Sequence, residues 1–304
     1  MPDITLAIKV DVDTERGTRV GVPALLRVFA EFGIRASYFF SLGPDNTGRA
    51  LRRVFRPGFL AKVGRTDVVG TYGLRTLLNG VLWPGPHIGK RHATILRAVK
   101  DAGHEVGIHC YDHTRWQDGL HAMRRDDVRR EFSRARAEFE RIYGEPARAA
   151  AAAGWQANAD SLAVYDEAGL VYASDARGSG PFFPAVDGTR FRTLQIPTTL
   201  PTLDELLGRR DFPEERLITH YFSLLRRAGP NVLTIHAEIE GMAKSQWFRE
   251  FLARAASMHI RFATLGDIAA DLLRAPQAIG ACELTMGEID GRSGRLATQG
   301  HGLA

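Results

Sequence analysis

Short apolar runs alternate with amphipathic helical segments along most of this chain, and that alternation narrows the fold to parallel strands covered by helices. The first run, Ile4-Thr5-Leu6-Ala7-Ile8, leads to a helix over residues 22–32 with Pro23 in its first turn and Gly33 as its stop, then to a strand at Ser37-Tyr38-Phe39-Phe40. Helix, strand and helix follow over 92–102, 105–109 and 124–143. On the last of these Val128, Phe132, Ala135, Phe139 and Ile142 make one apolar stripe, and its many charges read as a solvated face. Further strands are predicted near 149–152, 171–173, 193–196, 232–236 and 260–263, with helices over 160–168, 213–228 and 245–258. A series of about seven such units favours a closed barrel over an open layer.

Two segments break the pattern. The connection over 42–87 is far longer than the usual few residues and reads as an insertion with its own purpose. In it Phe55, Phe59 and other apolar residues are interleaved with Arg49, Arg52, Arg53 and Arg56. Such a mixture suits a segment lying on an anionic membrane surface, and it equally suits a lid over the barrel mouth with a basic outer face. The Gly-rich tail over 275–304 lacks periodicity and is expected to be loop-like or partly disordered.

At 304 residues the chain can bury a sizeable core, expected as one domain over 1–274 carrying the insertion. The net charge of +5 is modest and nucleic acid is not an expected partner. Two cysteines, Cys110 and Cys282, make no disulfide framework, and Cys110 reads as a small buried residue. The start of the chain carries Asp3 where a secretory leader would be basic, and no apolar run is long enough to span a bilayer; a cytoplasmic protein is expected.

Chemistry concentrates at strand ends. The first strand closes in Asp11-Val12-Asp13-Thr14, and residues two apart on a strand share a face, so both carboxylates can look into one pocket; the alternative is a solvated pair with Thr14 capping the next turn. The strand over 105–109 ends in His109-Cys110-Tyr111-Asp112-His113, two histidines four apart that can converge on a metal. A carboxylate from the first strand would complete a three-ligand site with positions open to water and substrate. The strand over 232–236 delivers His236, placed to donate a proton to a leaving group. After the strand near 171, Asp175 and Arg177 can orient the acid or base. Glu238 and Glu240 either contact a ligand or cap their loop.

Asp11-Val12-Asp13, His109 with His113, and the late Ile235-His236 resemble the polysaccharide deacetylase (carbohydrate esterase 4) superfamily. With Gly43-Pro44-Asp45-Asn46, Trp83-Pro84-Gly85, Ala151-Ala152-Ala153-Gly154-Trp155 and Thr234-Ile235-His236-Ala237-Glu238, the chain is similar to the bacterial deformylases of phosphoundecaprenol-linked 4-deoxy-4-formamido-L-arabinose. The resemblance implies an α/β fold, a distorted (β/α) barrel of about seven strands. It also implies one divalent metal ion, Zn, Mn, Co or Fe, held by Asp13, His109 and His113, with Asp11 as general base and His236 as general acid. The oxyanion would be held by the metal and a backbone N–H near Trp155. The implied substrate is the undecaprenyl-phosphate-linked formamido sugar, met at the anionic inner-membrane surface, and the product leads to aminoarabinose modification of lipid A and cationic peptide resistance. One departure stands out: the superfamily's Arg and Pro before the aromatic are absent here, leaving Arg177 or Arg148 to restrain Asp11. The competing readings are a polysaccharide N-deacetylase and a non-catalytic metal-containing binder of lipid-linked sugar.

Overall fold

The computed structural model describes residues 4–50 and 74–303. Its central strand is β1 (Thr5–Val12), buried from its second residue onward. Around it, in chain order, come β2 (Ser37–Ser41), β3 (Glu105–Cys110), β4 (Ala149–Ala150) and β5 (Tyr172–Ala173). Then follow β6 (Phe183–Val186), β7 (Thr189–Arg190), β8 (Leu194–Gln195), β9 (Asn231–His236) and β10 (Arg261–Phe262), and finally β11 (Ala281–Gly287) and β12 (Leu296–Leu303). The helices that matter below are α1 (Val22–Phe32), α2 (Ile88–Asp101), α3 (His113–Gly119), α4 (Arg125–Tyr143), α5 (Ala159–Ala168), α6 (Glu214–Leu224), α7 (Ser245–Ser257) and α8 (Leu265–Leu272).

All pairings in the main sheet are parallel: β1 takes β9 along Leu6–Asp11, β2 along Lys9–Val12 and β10 at Thr5 and Leu6. From β2 the wall continues through β3, β4 and β5 to β8. It then curls back, because Thr199 and Leu200, just past β8, both donate their N–H to the Val232 carbonyl, and the Thr198 and Thr234 hydroxyls meet at 2.7 Å. The expected barrel of about seven strands is therefore present, and its distortion lies in β4, β5 and β8, each two residues long. One face of β1 (Leu6, Ile8, Val10, Val12) packs in the large apolar cluster beneath the helices, where Phe29 of α1 and Phe248 of α7 meet edge to face. The other face looks inward, where Ala7 joins Phe39, Ala149, Ala151, Leu194 and Ile196.

Three expectations need correction. The tail is not loop-like: β11 and β12 form an antiparallel hairpin, and β11 pairs in parallel with β6 to make a second sheet in the order β12-β11-β6-β7. Glycines obscured the alternation, but Leu284 and Ala297 bury against Leu162, Ala176 and Phe182, which supplies the apolar face a hairpin needs. The helix expected over 213–228 ends at Leu224, because Asn231 takes the Arg226 N–H and returns a bond to the Arg226 carbonyl, satisfying that backbone outside a helix. The helix expected from 92 begins one turn earlier, with the His87 side chain accepting from Lys90 N. Of the insertion, Arg52, Arg53, Phe55, Arg56 and Phe59 lie outside the described residues.

The loop after β9 is set by a close backbone approach. A Cβ on Gly21 would stand 2.0 Å from the Ala237 carbonyl oxygen, and one on Gly241 would stand 2.8 Å from the Gly21 carbonyl. Gly33, the left-handed C-cap of α1 with φ 62°, has nothing within 4 Å of such an atom. Gly21→Ala should therefore cost at least the ~1–3 kcal/mol of an overpacked core, with loss of the His236 geometry. Gly33→Ala should cost only the ~1–2 kcal/mol of a left-handed non-glycine residue. Urea denaturation of both variants checks this; a Gly21→Ala protein as stable as wild type would mean that the loop yields freely.

Candidate active site

Asp11, Asp13, His109, His113, Trp155, Asp175, Arg177 and His236 stand at or just past the C-terminal ends of the parallel strands, where barrels of this kind carry their reactive groups. Asp11 faces inward from β1 and is paired in register with His236, the last residue of β9. Asp13 lies one step beyond the strand. Its loop is held by Glu238, whose Oε1 accepts from Asp13 N at 3.1 Å, Thr14 N at 2.9 Å and the Thr14 hydroxyl at 2.7 Å. Thr14 in turn caps the following turn, accepting from Gly17 N and Thr18 N. Thr14 thus caps the turn as the alternative reading expects, but the carboxylates are not the solvated pair of that reading: Asp11 is buried and Asp13 is largely enclosed.

His109 comes from the penultimate position of β3, and His113 opens α3, whose N-cap Asp112 accepts from Arg115 N at 3.0 Å. Asn46 donates to the other oxygen of Asp112 at 2.6 Å, and the Thr114 hydroxyl returns a bond to the Asn46 carbonyl. The Gly43-Pro44-Asp45-Asn46 motif therefore orients the turn that presents His113. The two imidazoles stack with centroids 5.3 Å apart. Asp13 lies between them, 3.2 Å from His109 Nε2 and 3.5 Å from His113 Nε2. One ligand atom from each of Asp13, His109 and His113 falls within 4.8 Å of the others.

These residues fit a divalent cation. Asp13 Oδ1, Asp11 Oδ1, His109 Nδ1 and His236 Nδ1 are all buried without a hydrogen-bond partner, and polar atoms so placed are costly unless something completes them. Burial would raise the Asp13 carboxyl, but the neighbouring histidines overcome it and hold Asp13 well below the usual carboxylate range. Burial likewise lowers His109, and the Asp11 and Asp13 carboxylates more than reverse this, leaving it above an ordinary imidazole.

The cation beside Asp11 is one that the sequence reading did not single out. Lys9, on the inward face two residues earlier, is completely buried; its Nζ donates to the Ser174 carbonyl at 2.9 Å and lies 3.4 Å from Asp11 Oδ2. Burial pulls its ammonium below the ordinary lysine value, against the pull of Asp11 and Asp175. The inward periodicity Ala7-Lys9-Asp11 was the available signal. Arg177 instead turns to Glu205 Oε1 at 2.5 Å and the Leu200 carbonyl at 2.9 Å. Arg148 precedes β4 and lines a cavity at the opposite end of the barrel with Arg35, Glu105 and Asp267.

Asp175 braces the segment after β4, accepting from Ala152 N at 2.6 Å and from Gln195 Nε2 at 3.1 Å, and burial pushes its carboxyl up to about 6. That segment carries Gly154 and Trp155, both left-handed, with φ of 63° and 54°. The strained Trp155 is anchored by a bond from its indole N–H to the Thr198 hydroxyl at 3.1 Å, and its ring meets the His236 ring edge-on at 6.4 Å. Its own backbone N–H donates to the Ala152 carbonyl, so that group is already engaged. Glu240 accepts from His236 N at 2.9 Å, so Glu238 and Glu240 both serve as loop caps.

A family model described as polysaccharide deacetylase matches residues 5–173. A protein of Shewanella sediminis named as a probable 4-deoxy-4-formamido-L-arabinose-phosphoundecaprenol deformylase, ArnD, is 38% identical over 97% of this chain and 94% of its own length. A relative of the same name from Wigglesworthia glossinidia brevipalpis is 33% identical over 93% and 98%. Among solved structures, a polysaccharide deacetylase-like protein from Mycobacterium smegmatis superposes with a TM-score of 0.65 at 20% identity, covering 95% of this chain and 96% of its own. The allantoinase PuuE does so with 0.61 at 18% identity, covering 89% and 90%, and shares the fold alone. With more than half of its length matched by the family model and its strand-end residues gathered as described, the chain belongs to the polysaccharide deacetylase family.

Proposed function

We propose that this protein is a metal-dependent amide hydrolase that removes the N-formyl group from undecaprenyl-phosphate-linked 4-deoxy-4-formamido-L-arabinose, releasing formate and the 4-amino sugar. The observation that carries the reading is the convergence of Asp13, His109 and His113 beside the register pair Asp11 and His236, in a chain so similar to relatives named as that deformylase. The 4-amino product would serve aminoarabinose modification of lipid A, which lowers the negative charge that cationic peptides exploit.

Asp13, His109 and His113 would hold the ion, which when bound polarises the formamide oxygen and makes its water more acidic. Asp11 accepts the proton of the attacking water, and the Lys9 ammonium, 3.4 Å from its Oδ2, orients it. His236 gives a proton to the departing amine. Its ring stands against the Trp155 indole, and its backbone is fixed by Glu240. Trp155, which lacks the superfamily's Arg and Pro before it in the chain, supports the wall of this pocket, and Asp175 and Arg177 act by positioning its segment.

The same reading brings the protein to the cytoplasmic face of the inner membrane. Val81, Leu82 and Trp83 are consecutive, apolar and 54%, 66% and 40% exposed, beside the exposed Arg49. Such a tip beside a cation suits an anionic lipid surface. No helix among the described residues is long and apolar enough to cross a membrane.

Three measurements follow. Metal-free protein given back divalent ions should release formate from the lipid-phosphate-linked formamide. Asp13→Ala should lose metal binding by calorimetry, while Asp11→Asn and His236→Ala should keep it and lose turnover by about a hundredfold or more. Release of acetate from an N-acetylated glycan, with none of formate, would move the reading to a polysaccharide deacetylase. Leu82→Asp should reduce co-sedimentation with anionic vesicles and leave turnover of a short-chain substrate unchanged; equal sedimentation would remove the tip from the membrane contact. The third concerns Glu240, which burial pushes up from 4.5 to about 8. The folded protein keeps this proton while the unfolded chain releases it, so the stabilisation is complete below about 4.5 and lost as pH rises to about 8. Glu240→Gln should flatten the decline of the urea midpoint between pH 5 and 9, and parallel profiles for the two proteins would contradict this.

A further inference from the structure

The tail hairpin, which lies beyond the stretch matched by the family model, reaches the mouth of the barrel. Its connecting loop is locked there by contacts along its length. Asp290 pairs with Arg209 at 2.7 Å; Gly291, with φ 84°, sits so close that a Cβ would be 2.2 Å from the Glu205 carbonyl oxygen; and Gln156 Nε2 donates to the Arg295 carbonyl at 2.9 Å. This arrangement delivers Arg292. Its guanidinium stands over the Trp155 indole, 4.4 Å from the ring centre, and its Nη1 reaches Glu205 Oε1 at 3.4 Å.

Glu205 is already the partner of Arg177 through the same oxygen. Two guanidiniums therefore share one carboxylate, and both lie over Trp155, Arg177 at 5.4 Å. Arg177 Nε is buried without a hydrogen-bond partner, in a side chain only 8% exposed. Asp204, next to Glu205 in sequence, accepts from the Thr202 hydroxyl. Lys9 is the third cation on this indole, at 5.1 Å, and it is matched by Asp11. The Arg pair is thus a preorganised positive site with donors to spare, on the same Trp155 indole that the His236 imidazole meets edge-on.

The geometry points to Arg292, backed by Arg177, as the binding site for the phosphodiester of the lipid-linked sugar, so that the hairpin selects a phosphate-bearing substrate. This rests on the proposed deformylase reading for the identity of the ligand. A planar guanidinium fixed by stacking loses little freedom on binding a phosphate oxygen, and it places that charge across the sugar from the reacting amide. Family members that act on neutral glycans have no use for such a charge.

The test uses the full chain and two probes without a formamide group: an octyl arabinosyl phosphodiester and the uncharged octyl arabinoside, each titrated calorimetrically. Arg292→Gln should weaken the phosphodiester by about tenfold or more and leave the arabinoside unchanged, and Arg292→Lys should restore part of the loss. Equal binding of the phosphodiester by wild type and Arg292→Gln, or equal losses for both probes, would overturn the proposal. Formate release is measured separately on the wild-type protein. No release together with Arg292-dependent phosphodiester binding would end the deformylase reading and leave the anion site standing; release with Arg292-independent binding would do the reverse.

Discussion

The register of β1 between β9 and β2 is the constraint on which the rest depends. Its pleat sends Leu6, Ile8, Val10 and Val12 under the helices and Ala7, Lys9 and Asp11 into the barrel. A slip by one residue would exchange the two sets, burying Lys9 and Asp11 among the helix-facing aliphatics and removing the site. The same register sets Asp11 opposite His236, so one set of backbone hydrogen bonds fixes both the core and the pairing of the two candidate catalytic groups.

The Lys9–Asp11 pair shows how function has shaped that interior. A completely buried ion pair is weak evidence of stability, since desolvation opposes the attraction, and removing one partner of such a pair commonly costs about 3–5 kcal/mol through the charge left behind. The useful consequence is chemical. An ammonium tied to the Ser174 carbonyl stands 3.4 Å from Asp11 Oδ2 and fixes that carboxylate's place in the barrel. In this chain the lysine occupies the role that the sequence reading looked for in Arg177 or Arg148.

Trp155 forms the second organising centre. Its left-handed backbone is an energetic cost, and its indole is fixed by Thr198 and flanked by Lys9, Arg177 and Arg292 from three separate parts of the chain. Aromatic faces attract cations, so a single ring gathers β1, the segment after β5 and the tail hairpin around the pocket wall. The second sheet thereby becomes part of the site, although it lies far from the strands that carry the acidic and histidine residues.

The sequence by itself determined the alternation of strands and helices, the positions of most of them, and the residues Asp11, Asp13, His109, His113 and His236, because periodicity and strand-end placement are local properties of the chain. The family resemblance added the roles. What only the tertiary structure decided are the contacts between elements: that Lys9 rather than an arginine faces Asp11, that Arg177 turns to Glu205, that Glu238 and Glu240 accept from backbone N–H groups, and that the Gly-rich tail folds as a hairpin against Phe182 and Leu162. The Arg177–Glu205 and Asp13–Glu238 contacts join residues 28 and 225 positions apart, the hairpin needs a face that exists only once another element is in place, and even the local Lys9–Asp11 spacing says nothing of which cation the fold will bring to Asp11.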